Sequence, residues 1–194
     1  MQPDYLGHNG RVVSAAKASW RRELTAARLS RPAAAVESAR RDVCAVVLGR
    51  CAAAGWRCVA AYLPLPSEPG SAALLAALAR AGVRVLVPVL RADRDLDWAE
   101  WDAMTQEWGS LLGVDSIADA DALLVPAVAV ARDGTRLGRG GGSYDRALQR
   151  VPVGVTVAAL LYDGEFVADL PSDDWDVPVT AVVTPAGWQD LVRR

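Results

Sequence analysis

Residues 136–146 read Arg136-Leu137-Gly138-Arg139-Gly140-Gly141-Gly142-Ser143-Tyr144-Asp145-Arg146, a glycine loop that carries arginines and closes on an acid. Glycines let a backbone approach an anion closely, and amide N–H groups then converge on it. Arginine forks add bidentate contacts to phosphate or carboxylate oxygens. A loop that only reverses the chain needs neither Arg136 and Arg139 nor Asp145. Anion binding, above all phosphate binding, is therefore the chemistry this stretch predicts. It is not a Walker loop, because no Gly-Lys-Ser/Thr is present, nor a dinucleotide fingerprint, because Ser143 stands where the third glycine belongs.

Other candidates are scattered. Lys17 is the sole lysine of an arginine-rich chain, and Arg21 follows at i+4, so a helix would project both cations from one face. Glu68 lies in the Pro- and Gly-containing loop 64–70. A carboxylate beside a phosphate cradle, as at Asp145, would repel it unless a cation lies between them. Asp176, Asp173 and Asp174 sit in the acidic loop 171–178, where turn or solvent-facing roles are the simplest expectation. Trp98, Trp101 and Trp108 are expected in the core ahead of a ligand wall. The single histidine, His8, lies near the N-terminus, which argues against histidine triads and histidine metal sites.

These residues need elements to hold them. Helices are expected over 14–29, 31–54 (ended by Gly55), 71–81 and 146–150, and strands over 59–63, 83–90, 122–126, 153–161 and 179–183. Residues 96–101 alternate as an edge strand would, and 111–120 follow no regular pattern. Strands alternating with helices predict an α/β, three-layer, mainly parallel sheet with helices on both faces, Rossmann-like, in which ligands sit at the carboxyl ends of the strands. The loops 64–70, 132–145 and 171–178 are the ones to meet there.

The chain has 194 residues, 52% hydrophobic and 23% charged, with net charge −2. Residues 14–194 are expected to form one domain and 1–13 a disordered extension. So small a net charge argues against nucleic acid or an anionic membrane as partner, and no apolar run reaches the ~18 residues of a spanning helix. Cys44, Cys51 and Cys58 form no Cys-x-x-Cys pair and are odd in number, so buried free thiols and a reducing, cytoplasmic setting are expected. Small-molecule substrates and a monomer complete this picture.

Residues 136–146 closely resemble the signature of the 5-formyltetrahydrofolate cyclo-ligase (5,10-methenyltetrahydrofolate synthetase) family. The other marks occur in order: Lys17-Ala18-Ser19-Trp20-Arg21 resembles its N-terminal Lys-x-x-x-Arg, 62–68 its strand and substrate loop, and 170–179 its aspartate segment. The resemblance covers residues 14–185. It implies ATP- and Mg²⁺-dependent closure of 5-formyltetrahydrofolate to 5,10-methenyltetrahydrofolate, giving ADP and phosphate. It further implies that Lys17, Arg21, Arg136, Leu137, Gly138, Arg139, Gly140, Gly141, Gly142, Ser143 and Tyr144 hold ATP, with Arg139 and Tyr144 catalytic. Leu63, Glu68 and the segment 139–143 would touch the folate, and Asp145 and Asp176 would hold Mg²⁺. Three positions depart from the pattern: Gly141, where some members carry lysine; Ser143, where an aromatic is usual; and Thr180, where many have a second aspartate. Two other functions are compatible with the loop: a sugar-phosphate isomerase with Glu68 or Asp145 as base, and a non-catalytic nucleotide- or folate-binding module.

Overall fold

Ala- and Leu-rich segments make the helices, and their ends carry recognisable stops. A computed structural model describes residues 8–191. Helix α1 is His8–Leu29 and α2 is Ala33–Ala54. Helix α1 starts ahead of the expected Ser14, so of the extension expected over 1–13 only residues 1–7 fall outside the described residues. Gly55 ends α2 in the left-handed conformation, φ 67°. After β1 (Cys58–Ala60) comes α3 (Ala72–Arg80), whose N-cap Ser71 accepts the Leu74 N–H at 3.1 Å. Strands β2 (Arg84–Leu90), β3 (Leu96–Asp102) and β4 (Glu107–Leu111) form a meander, and a 3₁₀ turn (Val114–Asp119) leads into β5 (Ala122–Pro126). Then follow β6 (Ala129–Ala131), β7 (Arg136–Leu137), α4 (Ser143–Leu148), β8 (Thr156–Leu160), β9 (Phe166–Val167), β10 (Ala181–Thr184) and β11 (Gly187–Asp190).

The main sheet has eight strands in the order β11-β10-β8-β5-β1-β2-β3-β4. Its middle, β10 to β2, is parallel, and β11, β3 and β4 are antiparallel flanks. The period of two along each strand divides the core in two. Val59, Val85, Val87, Leu124, Leu160 and Val183 face α2 and α3; Cys58, Ala60, Leu86, Leu123, Val125 and Val182 face α4 and the 3₁₀ turn. This is the expected α/β layering, in one domain.

Several strands escaped the sequence reading. Residues 96–101 are not the edge, because β4 pairs outside them, and β11 follows the strand expected to be last. Strand β4 is exposed along its whole length, so it has no alternation to detect. A second sheet, β7-β6-β9, is built of very short strands. Trp20 and Leu24 of α1 pack on that small sheet through Val128, Ala129 and Leu137.

Helix α1 is locked in place at its end by a buried ion pair. Arg28 donates to both carboxylate oxygens of Glu165, at 2.8 and 2.7 Å, and to the Ala127 carbonyl at 2.7 Å. Glu165 in turn accepts the Tyr162 N–H at 2.8 Å. The carboxylate outweighs burial and holds the Arg28 guanidinium above its usual pKa. The three cysteines are free, and burial raises each thiol pKa. Among the described residues no helix is long and apolar enough to cross a membrane.

Candidate active site

The strand order reverses between β1 and β5, the place where parallel α/β sheets open a crevice at their carboxyl ends. A cleft of about 300 Å³ lies there. Pro88 and Leu90 line it from the end of β2, Pro126 and Ala127 from the end of β5, and Glu68 from the loop after β1. The glycine loop between β7 and α4 forms another wall, and Lys17 and Arg21 reach in from α1. The cleft runs on into a polar recess lined by Ser14, Lys17, Arg21, Asp145, Asp173, Trp175 and Asp176. One end is thus apolar with a single acid; the other is cationic and glycine-rich with several carboxylates.

The loop holds its shape through its neighbours. Arg136 is buried; it donates to the Pro126 carbonyl at 3.2 Å and to Asp145 at 2.7 Å, tying the end of β5 to the start of α4. Gly138 lies against it, where a Cβ would come within 2.7 Å of Nη1. The Arg21 Nε donates to the Gly138 carbonyl at 2.8 Å, and Gly140, at φ 97°, lies over the same guanidinium. Arg139 reaches across the cleft to Glu68 at 3.4 Å with its own side chain largely exposed. It is the arginine of the loop most free to meet a ligand.

The Lys17 ammonium, buried on α1, donates to Asp173 at 2.7 Å and Asp176 at 2.5 Å. Burial opposes its charge, but the two carboxylates prevail and raise its pKa. Asp173, expected to be solvated, is therefore part of the site. The reason is local: Asp173 N–H donates to the Asp176 carboxylate at 2.8 Å and Asp176 N–H to the Asp173 carbonyl at 3.0 Å, a tight turn that aims both side chains at Lys17. No local pattern signals this pairing, because the lysine and the two acids lie 156 and 159 residues apart in the chain. Asp174 is exposed, as expected.

Of the other expected residues, Leu137, Gly141, Gly142 and Ser143 line the cleft; Leu63 does not, and packs against the core under α2 and α3. The Tyr144 ring lines the cleft beneath Arg136, 5.7 Å from its guanidinium carbon, while its hydroxyl is buried without a partner among the described residues. Desolvation, the largest cause, pushes the Tyr144 hydroxyl pKa up, so it stays neutral. Trp98 and Trp101 are core residues, and Trp108 is half exposed away from the cleft. Thr180 sits at the foot of β10, where its hydroxyl accepts the Val157 N–H at 2.8 Å; it bridges strands and does not line the cleft. Pro88, Leu90, Leu96 and Pro126, which make the apolar end, were read from sequence only as strand residues.

Asp145 and Asp176 both line the cleft, but each already answers a cation, Arg136 and Lys17. No group of three or more His, Cys, Asp or Glu side chains gathers to hold a metal by itself among the described residues. Such a donor set fits Mg²⁺ only as the partner of a phosphate, since Mg²⁺ takes one or two carboxylates and leaves its remaining positions to phosphate and water.

Comparison with known proteins adds to this geometry. The chain is 42% identical over 143 residues to the 5-formyltetrahydrofolate cyclo-ligase of Mycolicibacterium smegmatis, covering 66% of this chain and 74% of the relative. It is 33% identical over 146 residues to the Escherichia coli K12 protein of that name, covering 66% and 78%. Its fold matches the 5,10-methenyltetrahydrofolate synthetase structures of Mycoplasma pneumoniae (TM-score 0.73, 18% identity, covering 87% of this chain and 98% of the other) and Aquifex aeolicus (TM-score 0.73, 22% identity, 90% and 92%). The profile of the 5-formyltetrahydrofolate cyclo-ligase family matches residues 13–185, so the chain belongs to that family, a family of ligases.

Proposed function

We propose that this chain closes 5-formyltetrahydrofolate to 5,10-methenyltetrahydrofolate at the expense of ATP, with Mg²⁺ accompanying the nucleotide. The observation that carries this is the two-ended cleft, a cationic glycine loop at one end and an apolar chamber with one buried acid, Glu68, at the other. A triphosphate fits the first and a flat heterocycle the second.

Lys17, Arg21, Arg139 and the N–H groups of residues 138–142 hold the phosphates, and Asp145 and Asp176 hold Mg²⁺. Mg²⁺ supplies charge neutralisation for the phosphoryl group. Arg139 lies between the two ends, bonded to Glu68, and so brings the formyl oxygen and the γ-phosphorus together. That oxygen bonds to the γ-phosphorus as ADP departs. The N10 lone pair then attacks the activated formyl carbon, phosphate leaves with the carbon–oxygen electron pair, and the N10 proton passes to solvent. Neither step needs a histidine; both need positioning and compensation of developing charge. Tyr144 contributes a neutral wall under Arg136, its hydroxyl pKa raised by desolvation. A cytoplasmic setting accords with free thiols and small soluble substrates.

The test is turnover of 5-formyltetrahydrofolate with and without ATP and Mg²⁺. Product formation that requires both is expected. Turnover of a sugar phosphate without ATP, or ATP binding without product, would replace this function with an isomerase or a binding module.

A further inference from the structure

The loop that presents Glu68 to the cleft is short of internal support. Residues 64–70 contain three prolines and a glycine, and prolines have no N–H to donate. Two bonds within the loop hold its turn: Glu68 N–H donates to the Leu65 carbonyl at 3.0 Å, and Leu65 N–H donates to the Glu68 carboxylate at 2.9 Å. The carboxylate thus spends one oxygen on its own loop and offers the other to Arg139. That leaves a row of backbone carbonyls facing outward, toward α2.

Arg40, on α2, takes up three of them. Its Nε donates to the Glu68 carbonyl at 3.2 Å, and its Nη2 to the carbonyls of Leu65 and Pro66 at 3.2 and 2.9 Å. One planar fork therefore spans the whole turn from outside, while the Glu68 carboxylate closes it from inside. Helix α2 is itself anchored to the sheet through Val43, Val47 and Cys51. A guanidinium can join three carbonyls at once because its donors are spread over a rigid fork; an ammonium offers them from one point.

Resting on the placement of the folate against Glu68 proposed above, we infer that Arg40 is a positioning residue for the folate end of the cleft. It sets where the Glu68 carboxylate stands without touching the substrate or the nucleotide. Arg40 does not line the cleft and bonds only the loop that carries Glu68, so its influence falls first on the folate and reaches the nucleotide only through the long Glu68–Arg139 contact.

The experiment is steady-state kinetics of Arg40→Ala, Arg40→Lys and Glu68→Gln, and of the Arg40→Ala/Glu68→Gln double variant, with both KM values and kcat determined. Arg40→Ala is expected to raise the KM for 5-formyltetrahydrofolate about tenfold, the equivalent of one lost charge-assisted hydrogen bond, and to leave the KM for ATP within about twofold. Arg40→Lys, which keeps the charge but not the fork, should fall between wild type and Arg40→Ala; it also stands in if Arg40→Ala fails to fold. Because Arg40 acts through Glu68, its substitution should add nothing in the Glu68→Gln background. Wild-type folate KM in Arg40→Ala beside a raised one in Glu68→Gln would overturn the role of Arg40 and leave the placement of the folate standing. An unchanged folate KM in Glu68→Gln would overturn that placement and the inference with it. Equal rises in both KM values, or a fall in kcat alone, would reduce Arg40 to general scaffolding and overturn the inference as well.

Discussion

Replacing Glu165 by Gln should destabilise the protein more than any surface change. The substitution preserves shape and removes charge. In the native protein Glu165 and Arg28 are both 4% exposed, and the carboxylate receives three hydrogen bonds, two from Arg28 and one from Tyr162 N–H. A carboxamide has one acceptor oxygen, so its NH₂ faces a guanidinium N–H in either orientation, and in one of them the Tyr162 amide as well, donor against donor. Arg28 then keeps its charge in a buried place with only the Ala127 carbonyl and part of one amide to answer it. Breaking a buried pair by removing one partner costs about 3–5 kcal/mol. For a domain of this size that lowers Tm by about 6–20 °C. The apolar double variant Arg28→Met/Glu165→Leu should recover only part of the loss. Apolar replacement is nearly neutral when a pair has no other partners, but here Ala127 C=O and Tyr162 N–H would be left unanswered, at about 1–3 kcal/mol each. Urea unfolding of wild type, Glu165→Gln and the double variant reads both numbers. The same pair fixes the end of α1, and Lys17 and Arg21 lie on the packed face of that helix, so the KM for ATP should rise in Glu165→Gln below its melting point. A loss under about 1 kcal/mol, with wild-type ATP kinetics, would refute the clamp.

Three further perturbations probe the cationic end. Lys17→Met leaves Asp173 and Asp176 facing each other and the phosphates, so turnover at limiting ATP should fall at least tenfold with the fold intact by circular dichroism, about what a lost charge-assisted contact is worth; wild-type kinetics would remove Lys17 from the site. Asp145→Asn strips buried Arg136 of its carboxylate and should cost about 1–3 kcal/mol of stability while raising the Mg²⁺ concentration needed for turnover. A stability loss with a wild-type Mg²⁺ curve would make Asp145 an anchor for Arg136 and no more. Gly138→Ala puts a Cβ 2.7 Å from the Arg136 guanidinium, which Pro126 and Asp145 prevent from yielding, and should cost about 1–3 kcal/mol, whereas at Gly141 the nearest atom is the Ser143 hydroxyl at 3.7 Å and alanine should be tolerated. Equal melting temperatures for the two would refute the packing argument.

The glycine loop was legible in the sequence because it is local. Glycines flanking Arg139, an apolar strand before them and a helix start after them predict an anion cradle from adjacent residues alone, and the structure brings that loop to the cleft. The same holds for the parallel core, where continuous apolar runs such as β5 (Ala122–Pro126) have no other use than burial on both faces. Lys17 and Arg21 could be placed on one helix face from their spacing, and both do line the cleft.

Other features depended on contacts between residues far apart in the chain. That Asp173 and Asp176 meet Lys17 is a pairing across 156 and 159 residues, invisible to any local pattern. Strand β4 and the small sheet carry no periodic signal, since fully exposed or very short strands are defined by their partners. Arg136 reads from sequence as one more phosphate ligand, yet its guanidinium is engaged by Pro126 and Asp145 at the junction of β5 and α4. The sequence by itself determined which groups could bind an anion and which runs must be buried, because these follow from side-chain chemistry and periodicity. Only the tertiary structure decided which charges answer one another, because the strength of an ion pair depends on distance and burial, and both are products of the fold.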